Sequence, residues 1–224
     1  MNFEVEATIT ARAREKRLLQ AIWDNINNFN EQQLYNLLRL SSYPYSMRKS
    51  EQRDLRRSVS SVCKILKICG KGNRRMLKLS EATSLFSLLV ASIYDKLFII
   101  EPVLDIGEPE YFDYAVGERL QEKLTITHLA EVKRLFSTRN LKGYTEAFVR
   151  RINNLKGKGI KNVTFVYHIH LTRNFIGKTE VLEAIEALKS MEMLFTNPYL
   201  QIVITFEETY SKFKDRLKNQ LALT

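Results

Sequence analysis

Residues 162–188 read NVTFVYHIHLTRNFIGKTEVLEAIEAL. The first half is rich in β-branched and aromatic residues, which suit a pleated strand. The second half carries Val181, Leu182, Ile185 and Leu188 at helical spacing, so a helix with those four turned inward is expected. Strand, turn and helix here set the pattern for the C-terminal half. PYLQIVITFEE supplies a second strand and YSKFKDRLKNQLAL a basic terminal helix. The unit reads β-α-β-α, with a parallel right-handed crossover if both strands share one sheet.

Gly177, Lys178 and Thr179 match the last three positions of a phosphate loop, G-x-x-x-x-G-K-[ST]. Thr172 stands where the first glycine belongs, which removes the tight turn that wraps phosphate in backbone N–H groups. No later strand ends in a suitable aspartate. Nucleotide hydrolysis is therefore excluded, and Gly-Lys-Thr is a turn that opens a helix.

His168 and His170 are two of only three histidines. On a strand they project to the same side, a start for a divalent-metal site. The His-hydrophobic-His pattern resembles the second motif of the HUH nickases, the rolling-circle replication and relaxase enzymes. That resemblance implies Mn or Mg at His168 and His170, Glu207 or Glu208 as a third ligand, and Tyr210 as the nucleophile. Lys212 and Lys214 follow Tyr210 at +2 and +4, where the family has Tyr-x-x-Lys. The plainer expectation buries Tyr167, Ile169 and Leu171 and leaves both histidines on the less apolar face, solvated, covered by an acidic segment or part of a ligand surface.

The net charge of +10 is segregated. Residues 48–78 hold eleven Lys/Arg against Glu51 and Asp54. Residues 81–122 hold nine acids against Lys96 and Arg119, and 133–161 hold nine bases against Glu146. Two basic runs point to a polyanionic partner: nucleic acid, or an anionic membrane surface. The expected contacts are Arg53, Arg56, Arg57, Lys71, Arg74 and Arg75 in the first run and Arg150, Arg151, Lys156 and Lys158 in the second. Tyr43 and Tyr45 are placed to stack bases beside the first run. In the acidic run, Asp105, Glu108, Glu110 and Asp113 offer oxygen ligands for a hard cation, at a spacing unlike an EF-hand.

The expected fold class is α+β. Residues 1–100 form a mainly helical basic part with one early strand in FEVEATITARA (3–13). Residues 101–122 form an acidic connector, and 123–224 the α/β part; all three together are also compatible with one compact domain. NEQQLYNLLRL (30–40) is a helix capped by Asn30. SEQRDLRRSVSSVCKILKIC (50–69) is an amphipathic helix, and a core helix runs from a cap at Ser80 through Leu85 to Ile100. EKLTITHL contains a short strand, whereas HLAEVKRLFSTRN and GYTEAFVRRINNLKG read as helices.

No apolar run reaches the roughly 18 residues that span a bilayer. Cys63 and Cys69 lie six apart on one helical pattern, too far for a disulfide, whose Cα atoms approach within about 7 Å. Lone thiols and no signal peptide suggest an intracellular protein of cytoplasm or nucleus, not secreted. No dinucleotide fingerprint, metalloprotease helix or nucleophile elbow is present. Sequence alone thus points to a non-enzymatic basic protein, of a viral nucleocapsid or matrix type by size and charge, able to self-associate. The metal-dependent nickase is the alternative.

Overall fold

The computed structural model describes residues 8–9, 17–42, 79–94, 97–120, 123–135, 140–172, 179, 182, 186 and 198–220. The elements in order are β1 (Thr8–Ile9), α1 (Arg17–Asp24), α2 (Glu31–Ser42), α3 (Leu79–Ala91), β2 (Leu97–Ile100), β3 (Val103–Asp105), β4 (Pro109–Tyr111), β5 (Tyr114–Leu120), β6 (Lys123–Leu135), α4 (Leu141–Gly157), β7 (Thr164–Leu171), β8 (Leu200–Phe206) and α5 (Tyr210–Gln220). The chain is α+β, with helices in the N-terminal part and a strand then a helix at the C-terminal end.

One six-stranded sheet, in the order β1-β2-β5-β6-β7-β8, spans the fold. β2, β5 and β6 form an antiparallel meander, and β6, β7 and β8 run parallel. The expected parallel relation of the last two strands is observed. α4 links β6 to β7, as a parallel pair requires.

Helices cover both faces. Leu19 and Ile22 of α1, Leu37 and Leu38 of α2, Leu85, Phe86 and Leu89 of α3, and Phe213 and Leu217 of α5 pack on Phe98, Tyr114, Val116, Val132, Val166 and Val203. Phe148, Ile152 and Leu155 of α4 pack on the other face against Leu129, Phe165, Tyr167 and Ile169. A sheet covered twice buries both sides of its central strands, so β7 is buried from Phe165 to Leu171.

Local chemistry sets several element ends. Asn30 starts α2 with a reciprocal cap: its Oδ1 accepts the Gln33 N–H at 2.9 Å, and Gln33 Oε1 accepts the Asn30 N–H at 2.8 Å. Gly107, at φ +94°, makes the turn between β3 and β4. The edge strand β8 is blunted by the Gln220 amide, which donates to Ile204 O at 2.6 Å and accepts from Ile204 N at 2.7 Å.

Four expectations change. The core helix stops at Ala91, and Leu97–Ile100 is β2. Its LFII run is β-branched and apolar, and it pairs with β5 instead of extending α3. THLAEVKRL belongs to β6, not to a helix. The acidic run 101–122 contributes β5, a central strand, and the β3–β4 hairpin. Thr179, Leu182 and Glu186 are helical, with Leu182 exposed instead of inward. The helix expected over 50–69, Cys63, Cys69, Tyr43, Tyr45 and most of 3–13 lie outside the described residues. Among the described residues no helix is long and apolar enough to cross a membrane.

Phe86 is the centre of the larger core. Its ring lies 5.1 Å from the His168 ring, 4.8 Å from His170 and 5.8 Å from Phe213, centroid to centroid. Phe86→Ala is expected to cost about 3–5 kcal/mol of stability, read as a lower urea midpoint with unchanged slope.

Candidate functional site

The two histidines of β7 are fully buried, and every ring nitrogen has a partner. His168 Nδ1 meets the Tyr114 hydroxyl at 3.2 Å, and its Nε2 meets Thr205 Oγ1 at 2.9 Å. His170 Nδ1 meets the same Thr205 oxygen at 2.9 Å, and its Nε2 meets Ser42 Oγ at 3.0 Å. Ser42 also donates to Leu38 O at 2.8 Å, and this sets the direction of the chain. Ser42 has spent its proton, so His170 Nε2–H donates to it. Thr205 then donates to His170 Nδ1 and accepts from His168 Nε2–H, and Tyr114 donates to His168 Nδ1. Both rings are neutral Nε2–H tautomers. Burial pushes the His168 pKa down to about 3, and burial, then His168, then Arg134 hold that of His170 well below the usual histidine range.

With all four ring nitrogens engaged under α2, α3 and α5, the pair is built as a polar seam in the core. Tyr210 turns elsewhere, its hydroxyl 2.7 Å from Ser92 Oγ and 3.4 Å from Leu89 O. Glu207 pairs with Arg39 at 3.2 Å and Glu208 with Arg216 at 2.7 Å. The side expected to be less apolar is closed over by helices, and the geometry required for a metal between His168, His170 and Tyr210 is not assembled.

A different constellation lies where β6 outruns its neighbour. β5 begins at Tyr114, opposite Ala130. β6 continues for five more residues, Glu131 to Leu135, paired on its far side with β7. On the near side Asp113 takes over from the missing strand. Its N–H donates to Ala130 O at 2.9 Å, and its Oδ2 accepts the Val132 N–H at 2.6 Å. Asp113 is thereby held rigidly against the end of β6. The residue feeding it, Glu101, donates its N–H to Asp113 O at 3.0 Å from φ +53°, a left-handed conformation that is costly for a non-glycine residue.

Glu131 and Lys133 alternate on the α4 side of β6 and touch each other directly. Arg151 of α4 donates to Glu131 Oε2 at 3.0 Å and to Glu110 Oε2 at 3.0 and 3.1 Å, and also to Tyr111 O. Its guanidinium lies 4.1 Å from the Phe112 ring centroid. The cluster reaches solvent, with the Glu131 side chain 18% and that of Lys133 29% exposed. Arg134, on the opposite side of β6, donates to Ser41 O and, at 2.7 Å, to Thr83 Oγ1. Burial lowers its pKa only to about 10, so it stays charged at neutral pH.

Asp113 forms no ion pair among the described residues. Burial first, then the nearby Glu131 charge, raise its pKa to about 7 against the pull of the Val132 N–H, Lys133 and Arg134. A carboxyl poised at neutrality, a second carboxylate on the adjoining strand and a lysine two residues on can together accept a divalent cation and steady an anionic group beside it.

The second expected basic patch is not one surface. Arg150 and Lys158 are exposed. Arg151 is drawn into the acidic cluster, and Lys156 Nζ sits 3.4 Å from the Tyr199 ring centroid. Arg53, Arg56, Arg57, Lys71, Arg74 and Arg75 lie outside the described residues. Of the four acids considered for a hard cation, Asp113 and Glu110 stand in the cluster. Glu131 and Lys133 escaped notice because HLAEVKRL fits a helical period as well as a strand. The signal was an acid-x-Lys tripeptide, which on a strand turns both ends to one side, eighteen residues after an aspartate that follows a hairpin. Comparison of the chain with family models, with curated proteins and with solved structures gave no match.

Proposed function

We propose that the chain hydrolyses phosphodiester bonds of nucleic acid, using a divalent cation held by Asp113 and Glu131 with Lys133 beside the scissile phosphate. The observation that carries this reading is the Asp113 carboxylate at the open end of the β5–β6 pair, hydrogen-bonded to the N–H of Val132, the residue between Glu131 and Lys133, whose side chains touch each other. Mg²⁺ is commonly held by one or two protein carboxylates, with water and substrate phosphate oxygens filling its shell. Two carboxylates are therefore enough.

The bound cation would supply Lewis acidity and lower the pKa of a coordinated water. A water oxygen bonds to phosphorus as one P–O ester bond breaks; the leaving oxygen keeps the bonding pair and takes up a proton from solvent, and the attacking water gives up one proton to solvent. The Lys133 ammonium, within reach of the same space as Glu131, offsets the negative charge that builds on the phosphate oxygens. Arg151 holds Glu131 from the other side and so fixes its orientation. The net charge of +10 supports a polyanionic substrate, drawn by Arg150, Lys158 and the run 48–78. The nucleic-acid partner expected from charge is retained, and the acid–lysine cluster adds chemistry to it.

The test is incubation of labelled DNA and RNA with the protein in Mg²⁺ or Mn²⁺. Shortened products that vanish with EDTA are expected; intact DNA and RNA under all these conditions would overturn the assignment. The rate should also depend on pH. A cation needs Asp113 ionised, so at subsaturating Mg²⁺ the cleavage rate should rise with pH through about 7 and level off above it. A rate that falls as pH increases from 5 to 7 would contradict this role.

A further inference from the structure

We infer that the outer face of α4 carries the phosphodiester backbone of the substrate away from the cleavage site, along Arg150, Lys158 and Lys161. This deepens the phosphodiesterase assignment and rests on it. α4 holds Lys142, Arg150, Arg151 and Lys156 against a single acid, Glu146, and Lys158 and Lys161 follow it. The fold divides these cations. Lys142 pairs with Glu146 at 4.0 Å, Arg151 turns to Glu131 and Glu110, and Lys156 sits over the Tyr199 ring. Arg150, Lys158 and Lys161 are exposed and form no ion pair among the described residues.

Helix geometry relates these residues to the cluster. Lys158 comes seven residues after Arg151, so the two lie on one side of α4 to within about 20°, roughly 10 Å apart along its axis. Arg151 bonds Glu131, so that side of α4 leads from the acid–lysine cluster to Lys158. Arg150 stands next to Arg151 and is turned further to solvent. Gly159, at φ +90°, ends the helix: its N–H donates to Lys156 O at 3.0 Å, and the Ile160 N–H donates to Leu155 O at 3.2 Å. Lys161 is exposed three residues beyond Lys158. The side chains between the cations are short, Ala147 and Asn154 being exposed beside Gly157, where an added Cβ would meet nothing within 4 Å. An extended polyanion can therefore lie close against the helix, with unpaired cations to neutralise its phosphates. A helix dipole favours cations in its last turn, but it gives no reason for Arg150 in the middle of α4.

The test is binding of fluorescently labelled DNA and RNA oligonucleotides over a salt series, in EDTA and without metal. Replacing Arg150, Lys158 and Lys161 together with Gln should weaken binding roughly 100-fold at about 0.1 M salt and lower the slope of log K against log salt by about 2 to 3. Such a loss on either DNA or RNA supports the inference. Arg150→Lys, Lys158→Arg and Lys161→Arg together should keep the wild-type affinity and slope. The control replaces Lys212, Lys214 and Lys218, exposed cations of α5 on the other face of the sheet, and should lower the slope by less than about 1. Equal losses in the two Gln variants would reduce the attraction to net charge and overturn the inference. So would a wild type that binds no oligonucleotide, an α4 Gln variant that binds like wild type, or a charge-keeping variant that binds as weakly as the α4 Gln variant. A loss confined to phosphatidylserine vesicles would assign the face to lipid instead. Because no cleavage is read, failure here leaves the metal-dependent hydrolysis intact, and absence of cleavage leaves the salt dependence to be judged by itself.

Discussion

Lys133→Met is expected to slow metal-dependent cleavage by roughly 10²- to 10⁴-fold while leaving the fold in place. The side chain stands two residues beyond Glu131 on β6 and touches its carboxylate, with its Nζ 5.9 Å from the Tyr144 ring centroid. Methionine keeps the stem and removes the charge. The contact with Glu131 is partly exposed, so the substitution should change stability by less than about 1 kcal/mol. Its effect should fall mainly on the rate at saturating substrate, because charge that matters only as the phosphate reacts is transition-state stabilisation. Lys133→Arg should recover little, since a planar guanidinium places its donors differently from an ammonium. A variant as fast as wild type would remove Lys133 from the chemistry. Equal loss of folding and of activity would make it a structural residue.

The second large effect concerns acid. His168 and His170 are held neutral by burial, with the His168 pKa near 3 against 6.5 in an unfolded chain. Below pH 6.5 the unfolded chain takes up protons that the folded one refuses, so this contribution is complete above 6.5 and is lost as pH falls toward 3. For His168 alone the loss is on the order of 4 kcal/mol, and His170 acts in the same direction. Asp113 opposes it. Its pKa is raised to about 7, so the folded state favours the proton, and its contribution, present at low pH, fades as pH rises from about 4 to 7. Asp113→Asn removes the opposing term and keeps an oxygen for the Val132 N–H. In that variant, unfolding free energies from urea titrations should fall steeply between pH 6.5 and 4. Adding His168→Gln, which retains a donor toward Thr205 without titrating, should flatten the slope. A pH-independent stability in Asp113→Asn from 7 to 4 would show that the seam is not what resists protonation.

How far the sequence exposed this molecule depends on the element. β7 was legible because eight residues of mostly β-branched and aromatic character have no competing helical reading, and α2 because Asn30 and Gln33 announce its start. The orientation of β7 was not. Its histidines look polar on paper, but Thr205, Ser42 and Tyr114, from three distant parts of the chain, supply the partners that make burial tolerable. β6 was misread for a related reason. A strand covered on both faces loses simple alternation, and Leu129, Val132 and Leu135 then fall at helical spacing. With β6 taken for a helix, Glu131 and Lys133 became part of a solvated charge run, and Asp113 became one acid among nine. The site appears only when the β5–β6 hairpin brings an aspartate to the end of one strand and an acid-x-Lys to its neighbour, a relation set by pairing and invisible to composition.

The most direct test of the site is a calorimetric titration of Mn²⁺ into wild-type protein, Asp113→Asn and Glu131→Gln at pH 7.5, without substrate. One saturable site in the wild type, lost or weakened at least about tenfold in each variant, is the predicted result. Binding of equal strength in all three proteins, or no heat of binding in the wild type at millimolar Mn²⁺, would contradict a cation held between Asp113 and Glu131.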